Sequence, residues 1–355
     1  MVDMKDFYKG KKVFITGHTG FKGSWLTKIL TGFGAEVTGY SLEAPTQPNC
    51  FGLLNYGSKL HHTIGDIRDY KSLFKAFEEA QPEIVFHLAA QPIVRESYKD
   101  PQYTYEVNVM GTVNILECIR NTSCVKSVVI ITTDKVYKNN EWIYGYRETD
   151  ILDGFDPYSN SKSCAELVTA SYTRSFLKEQ GISVSTVRAG NVIGGGDFAF
   201  DRIIPDCYRA IENKTTLKIR NPYSTRPYQH VLEPLFVYLM IAQVQSKDPS
   251  KAGQYNVGPN DEDCVSTGQL VKIFSETWMK HSKQNFNYEI LSNNGPHEAG
   301  FLKLDSSLLK STFGWHPKWN VTMSINKTIE WMMAYLKKEN IDEVMTKQID
   351  EYLNQ

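Results

Sequence analysis

Residues 12–23 read Lys12-Val-Phe-Ile-Thr-Gly17-His-Thr-Gly20-Phe-Lys-Gly23. The first five residues, rich in β-branched and aromatic side chains, predict a strand. Glycines follow at 17, 20 and 23, then Trp25, Leu26, Ile29, Leu30 and Phe33 recur at helical spacing. A strand that turns on glycines into a helix is a diphosphate-binding arrangement. The glycines let the chain turn tightly and let backbone approach the anion. The free N–H groups and positive end of the helix then hold it. The spacing is GxxGxxG, not the commoner GxGxxG.

Outward from this turn, short β-rich runs alternate with helical patterns up to about residue 190. Strands are predicted at Val37–Tyr40, Thr63–Ile64, Glu83–His87, Val128–Thr132 and Val184–Val187. Helices are predicted around Leu73–Phe77, Tyr103–Arg120 and Tyr158–Leu177. This alternation argues for an α/β fold: a Rossmann-type doubly wound parallel sheet, followed by a smaller C-terminal α/β substrate domain. After Gly190 glycines, prolines and isolated arginines break the pattern. Leu232–Ser246 reads as a helix and Gln254–Val257 as a possible seventh strand. The last forty residues, rich in Lys, Glu and Trp, read as one or two surface helices.

The chain has 355 residues, with 39 Lys+Arg against 40 Asp+Glu and a formal charge of -1. Such a balance offers no global basic field for nucleic acid. No run of about 18 apolar residues predicts a membrane span, and the N-terminus lacks signal-peptide character. Six cysteines without a CxxC pair read as thiols of a reducing compartment, with cytoplasm the default. His and Cys show no metal-ligand spacing, so no metal is expected; His61 and His62 would point to opposite faces of a strand.

Tyr158 and Lys162 stand four apart, on one face of a predicted helix. A lysine ammonium near a phenol lowers its pKa from about 10 toward neutrality and makes it a usable base. An acidic residue at the end of the second strand usually grips an adenosine ribose; Ser41 stands there, with Glu43 two residues on. No arginine is placed there for a 2′-phosphate, which favours NAD over NADP. Asp66, after the third strand, is either an adenine ligand or a helix N-cap.

Together GHTGFKG (17–23), HLAAQ (87–91), Asn108, TTDK (132–135), YSNSK (158–162) and RAGNVIG (188–194) resemble the extended short-chain dehydrogenase/reductase family, in family order. Thr133-Asp134-Lys135 at the end of strand five resembles the nucleotide-sugar 4,6-dehydratase branch, with Lys where a Glu is usual. The further stretches 220–234, 296–305 and 314–319 resemble the members that act on CDP-glucose.

The resemblance implies NAD as cofactor. It implies that Gly17, Thr19, Gly20, Phe21, Lys22, Gly23, Ser41, Asp66, Ile67, Ala89, Ala90, Tyr158 and Lys162 hold it. It implies an NAD-binding domain over 1–189, with 228–258 returning to it, and a nucleotide-sugar-binding domain over 190–227 and 259–355. Gln91, Asn191, Arg202, Arg220, Arg226, His297 and Glu298 are the implied substrate ligands, Arg226 at the diphosphate and Arg202 at the nucleobase. The implied reaction oxidises C4, eliminates water across C5 and C6, and returns the hydride to C6. Tyr158 is its base, Thr133 the C4-oxygen ligand and Asp134 the acid. Lys135 is either a neutral base at C5 or a charged enolate stabiliser. The helices around 103–120 and 158–177 are expected to pair copies into a homodimer or homotetramer. A 4-epimerase, a dehydratase for GDP-mannose or dTDP-glucose, or a non-catalytic NAD-sensing protein of the same fold are the other readings.

Overall fold

The computed structural model describes residues 3–291 and 300–355. Its centre is a sheet of seven strands: β1 (Lys12–Thr16), β2 (Glu36–Ser41), β3 (Leu60–Ile64), β4 (Ile84–His87), β5 (Ser127–Ile131), β6 (Ser183–Ala189) and, from far along the chain, Gln254–Val257. Spatial order is β3-β2-β1-β4-β5-β6, with Gln254–Val257 last, and every pairing is parallel. Between the strands run the helices Phe21–Gly32, Tyr70–Ala80, Gly111–Arg120 and Pro157–Tyr172.

The strands are apolar because both faces are covered. Alternation along β1 sends Val13 and Ile15 to one face and Phe14 to the other. The first face packs on Trp25, Leu26, Leu235 and Leu239, the second on Leu73, Phe77, Ile115 and Ile119. Strand β3 is an edge strand, and most of its residues are exposed.

Strand order reverses between β1 and β4, so their carboxyl ends open a crevice where ligands bind in open α/β sheets. The glycine turn follows β1 there. Smaller pairs surround the crevice: Val192–Ile193 with Gln229–His230, Thr225–Arg226 with Val265–Ser266, and Leu217–Ile219 with Tyr288–Ile290.

Two expectations are corrected. The C-terminal helices Val321–Leu336 and Ile341–Leu353 are not surface appendages. Ile325, Ile329, Trp331, Met345 and Tyr352 are buried in the main core. Their apolar residues recur every three or four positions, but the abundant Lys and Glu between them masked that stripe. The helices around 103–120 and 158–177 are also irregular: π turns occupy Glu106–Met110 and Thr173–Leu177. All six cysteines are free thiols. No helix among the described residues is long and apolar enough to cross a membrane.

Candidate active site

Each glycine of the turn does something different. Gly17 has φ +80°, and a Cβ there would lie 2.7 Å from the Ala89 nitrogen, so β1 and β4 can close on each other only with glycine. A Cβ at Gly23 would lie 2.1 Å from the Gly17 carbonyl oxygen, which seats the helix on the turn. At Gly20 a Cβ would meet only the Gly17 oxygen, at 3.5 Å. Gly20 caps the helix Phe21–Gly32 with no side-chain hydrogen bond. The helix N-terminus is therefore open to an anion.

Around the turn, Thr19 Oγ1 meets Ser41 Oγ at 2.7 Å and donates to the Leu42 carbonyl at 2.9 Å. Ser41 is buried at the end of β2. The Ala89 amide donates to Thr16 Oγ1 (3.2 Å), and Ala90 follows it, half-buried. Asp66 is not an N-cap: Asp69 caps the helix Tyr70–Ala80, while Asp66 accepts from Arg68 at 2.7 and 3.0 Å. Ile67 is buried beside Gly111.

Tyr158 opens the helix Pro157–Tyr172, which Asp156 caps through the Ser159 amide (3.0 Å). Lys162 lies one turn on. The expected lowering of the phenol does not occur. Burial pushes Tyr158 up to about 12, against smaller downward pulls from the Thr133 hydroxyl and Arg202. Lys162 Nζ instead donates to the Ile131 carbonyl (3.1 Å). Burial brings Lys162 itself down to about 8, opposed by the charge of Glu166. Glu166 is in turn held by Arg188 at 2.9 Å, Thr132 and Thr186, a buried network that ties the helix to β5 and β6. Sequence reading missed that network, because nothing local in the chain pairs residues 166 and 188.

Thr133, Asp134 and Lys135 follow β5 directly. Thr133 Oγ1 donates to Asp134 Oδ1 at 3.0 Å, and Lys135 Nζ stands 3.2 Å from the same oxygen. Asp134 is 0% exposed, so the pair is not a surface pair. Asp134 Oδ2 is buried without a partner.

Thr133, Lys135 and Tyr158 line a cleft of about 1010 Å3 with Lys22, Asn191, Arg202 and Arg226. Asn191 Oδ1 is another buried acceptor without a partner. Arg202 bonds Asp197 at 2.9 Å and acts electrostatically on both Tyr158 and Lys22, which places it beside the phenol. Burial, Lys162 and Arg202 bring Lys22 down to about 7. Arg220, also on the cleft, pairs with Asp201 at 3.0 Å. Gln91 does not line the cleft. Its amide donates to Thr104 (3.0 Å) and accepts from the Ile93 amide (2.6 Å), and Asn108 locks its backbone. His297 and Glu298 lie outside the described residues.

The family model described as GDP-mannose 4,6 dehydratase matches residues 14–328. The chain belongs to this family. A CDP-glucose 4,6-dehydratase of Salmonella typhimurium is 46% identical across 100% of this chain and 99% of its own length. Among solved structures, a dTDP-glucose 4,6-dehydratase of Bacillus anthracis in complex with NAD superposes with TM-score 0.76 at 19% identity, covering 93% of this chain and 99% of that one. A UDP-glucose 4-epimerase of Thermotoga maritima with UDP-glucose gives 0.77 at 21% identity, covering 91% and 99%. At such identities these structures speak for the fold, and the family membership rests on the sequence matches.

Proposed function

We propose that this chain is an NAD-dependent hydro-lyase that converts CDP-glucose to CDP-4-keto-6-deoxyglucose and water. The observation that carries the reading is the full-length 46% identity to a CDP-glucose 4,6-dehydratase. The placement of Thr133, Lys135 and Tyr158 on one cleft supports it.

The turn fits a dinucleotide, since Gly20 leaves the helix N-terminus open and Ser41 and Ala89 flank it. NAD, when bound, supplies the acceptor and later the donor of the hydride. Tyr158 takes the proton of the C4 hydroxyl, and Thr133 holds that oxygen in line. Arg202 and Thr133 pull toward the phenolate against the larger opposing effect of burial. Ketone formation at C4 acidifies C5. Lys135 and Asp134 then serve C5 and C6. Lys135 Nζ and Asp134 Oδ1, 3.2 Å apart, stand together where one proton must leave C5 and another must reach the departing C6 oxygen; Lys135 acts as the C5 base or stabilises the enolate while Asp134 shuttles the proton. Arg226 and Asn191 take the diphosphate and sugar side of the substrate.

The exposed Tyr98, Met110, Leu167 and Phe176 on the helical face around 94–120 and 157–177 fit a homodimer or homotetramer. The six free thiols suit a cytoplasmic protein. Incubation with CDP-glucose and NAD, followed by alkali, is expected to give the absorbance of a 4-keto sugar. UDP-glucose, dTDP-glucose and GDP-mannose are the controls, and preferential turnover of one of them overturns the substrate assignment.

A further inference from the structure

Glu141 sits six residues beyond Lys135, on the rim of the same cleft. Its backbone has φ +53°, a region that side-chain-bearing residues seldom enter. From there its carboxylate accepts two backbone N–H bonds, from Gly300 to Oε1 at 2.8 Å and from Phe301 to Oε2 at 3.0 Å. A Cβ at Gly300 would stand 2.9 Å from Oε2, which shows how closely the carboxylate approaches this backbone. Asn139 adds a bond from Nδ2 to the Phe301 carbonyl, 3.1 Å.

The segment gripped in this way grips another. The Thr225 amide donates to the Gly300 carbonyl (2.9 Å), and the Leu302 amide donates to the Thr225 carbonyl (3.2 Å). Thr225 precedes Arg226, the buried arginine of the cleft. On the other side the 139–146 loop is fixed to the catalytic end of β5. Tyr137 stacks on Tyr146 at 5.2 Å, and Tyr146 exchanges backbone bonds with Lys303 and Asp305. The chain therefore runs from Lys135 through Glu141 and residues 300–302 to Arg226.

We propose that Glu141 is a positioning residue that fixes Arg226 relative to the Thr133-Asp134-Lys135 triplet. It holds the 300–302 segment between them and so sets affinity for the diphosphate of the substrate. The proposal rests on reading the cleft as a nucleotide-sugar site. Glu141 does not touch the reacting atoms in this scheme, and its effect falls on substrate binding rather than on chemistry.

Two variants separate the carboxylate from the backbone. E141A removes the carboxylate and keeps a Cβ at positive φ. E141G removes it and adopts that φ freely. Both are expected to raise KM for CDP-glucose by about tenfold, the scale of one or two lost charge-assisted bonds. Changes in kcat and in NAD affinity stay within about twofold. Both variants also raise amide exchange in peptide 300–305. A change in E141A that E141G restores assigns the effect to backbone strain and overturns the proposal. Unchanged KM in both variants overturns it as well. Unchanged exchange at 300–305 overturns it whatever the substrate proves to be. Wild-type protein that ignores CDP-glucose while the variants loosen 300–305 overturns the substrate assignment instead, and titration with CDP then decides whether the arginine arm has lost affinity; undiminished CDP affinity refutes the role.

Discussion

Replacing Lys135 with alanine tests the chemistry most directly, because its effects on stability and on rate are read by separate measurements. Lys135 Nζ lies 3.2 Å from Asp134 Oδ1, with Asp134 0% and Lys135 29% exposed. Two unit charges at that distance attract by about 5 kcal/mol at an effective dielectric near 20. The part-exposed ammonium returns some of that to water, but its removal leaves the buried Asp134 carboxylate without its cation, which costs on the order of 3 kcal/mol. The substitution therefore lowers the melting temperature measurably, and rates are compared at a temperature where K135A is folded. A positioned proton-transfer group contributes about 10²–10⁴-fold, so turnover of the folded variant falls by that factor.

The partial reaction sharpens the test. In the proposed mechanism oxidation at C4 uses Tyr158, Thr133 and Lys162; the Lys135 amide donates to Thr133 Oγ1 at 3.5 Å, a backbone bond that alanine keeps, while the Lys135 side chain bonds Asp134. K135A mixed with CDP-glucose is therefore expected to accumulate reduced nicotinamide, read by its absorbance, with little loss of water. In deuterated water the two roles left open for Lys135 separate. If it is the C5 base, exchange at C5 stops. If it only stabilises the enolate, Asp134 still removes the proton and slow exchange persists. Turnover of K135A at the wild-type rate refutes both roles.

Two further outcomes follow from the structure. G20A adds a Cβ where only the Gly17 oxygen lies near, at 3.5 Å, so stability holds while NAD affinity falls about tenfold or more; G23A forces a 2.1 Å contact and lowers the melting temperature instead, and equal effects from the two would contradict the division of roles. Glu233 is wholly buried, accepting from the Lys318 and Trp319 amides and the Tyr352 hydroxyl, and burial raises it from 4.5 to about 7. A raised carboxyl contributes stability that is whole below pH 4.5 and lost as pH climbs through 7, at most about 3 kcal/mol; the difference between wild type and E233Q in urea titrations at several pH values isolates it, and a flat difference refutes it.

What the chain disclosed by inspection was periodic or contiguous. Strands β1, β4 and β5 carry the apolar runs Val13–Ile15, Ile84–Phe86 and Val128–Ile131, and the glycine turn lies within seven residues. The triplet at 133–135 and the Tyr158/Lys162 pair are also local patterns. What stayed hidden depends on contacts remote in sequence: Glu166 with Arg188, Glu233 with Tyr352, and Glu141 with Gly300. Each is a charged residue that looks like surface until tertiary contacts bury it or engage its carboxylate. The phenol was misjudged because its burial, which raises it, is not visible in local spacing. The spacing places Lys162 on the correct face of the helix, and its ammonium donates to the Ile131 carbonyl at the end of β5.

A net charge of -1 conceals a concentration of cations. Burial first, then the charges of Lys162 and Arg202, brings Lys22 down to about 7, and burial brings Lys162 down to about 8 against the pull of Glu166. A lysine at about 7 is mostly neutral at pH 8, so the free site carries less positive charge there than its residues suggest. An anion entering the site favours the charged form and draws these values back up. Binding must then take up protons, and by linkage affinity must weaken as pH rises from 7 to 9. For CDP at pH 8 the expected uptake is up to about one proton per site, carried chiefly by Lys22. Calorimetric titrations in buffers of different ionisation enthalpy measure it directly. The same titration on Lys22→Met is expected to show smaller uptake and a flatter pH dependence. Binding enthalpies independent of buffer would mean that both lysines are already charged in the free protein, and that burial does not hold them as the geometry requires.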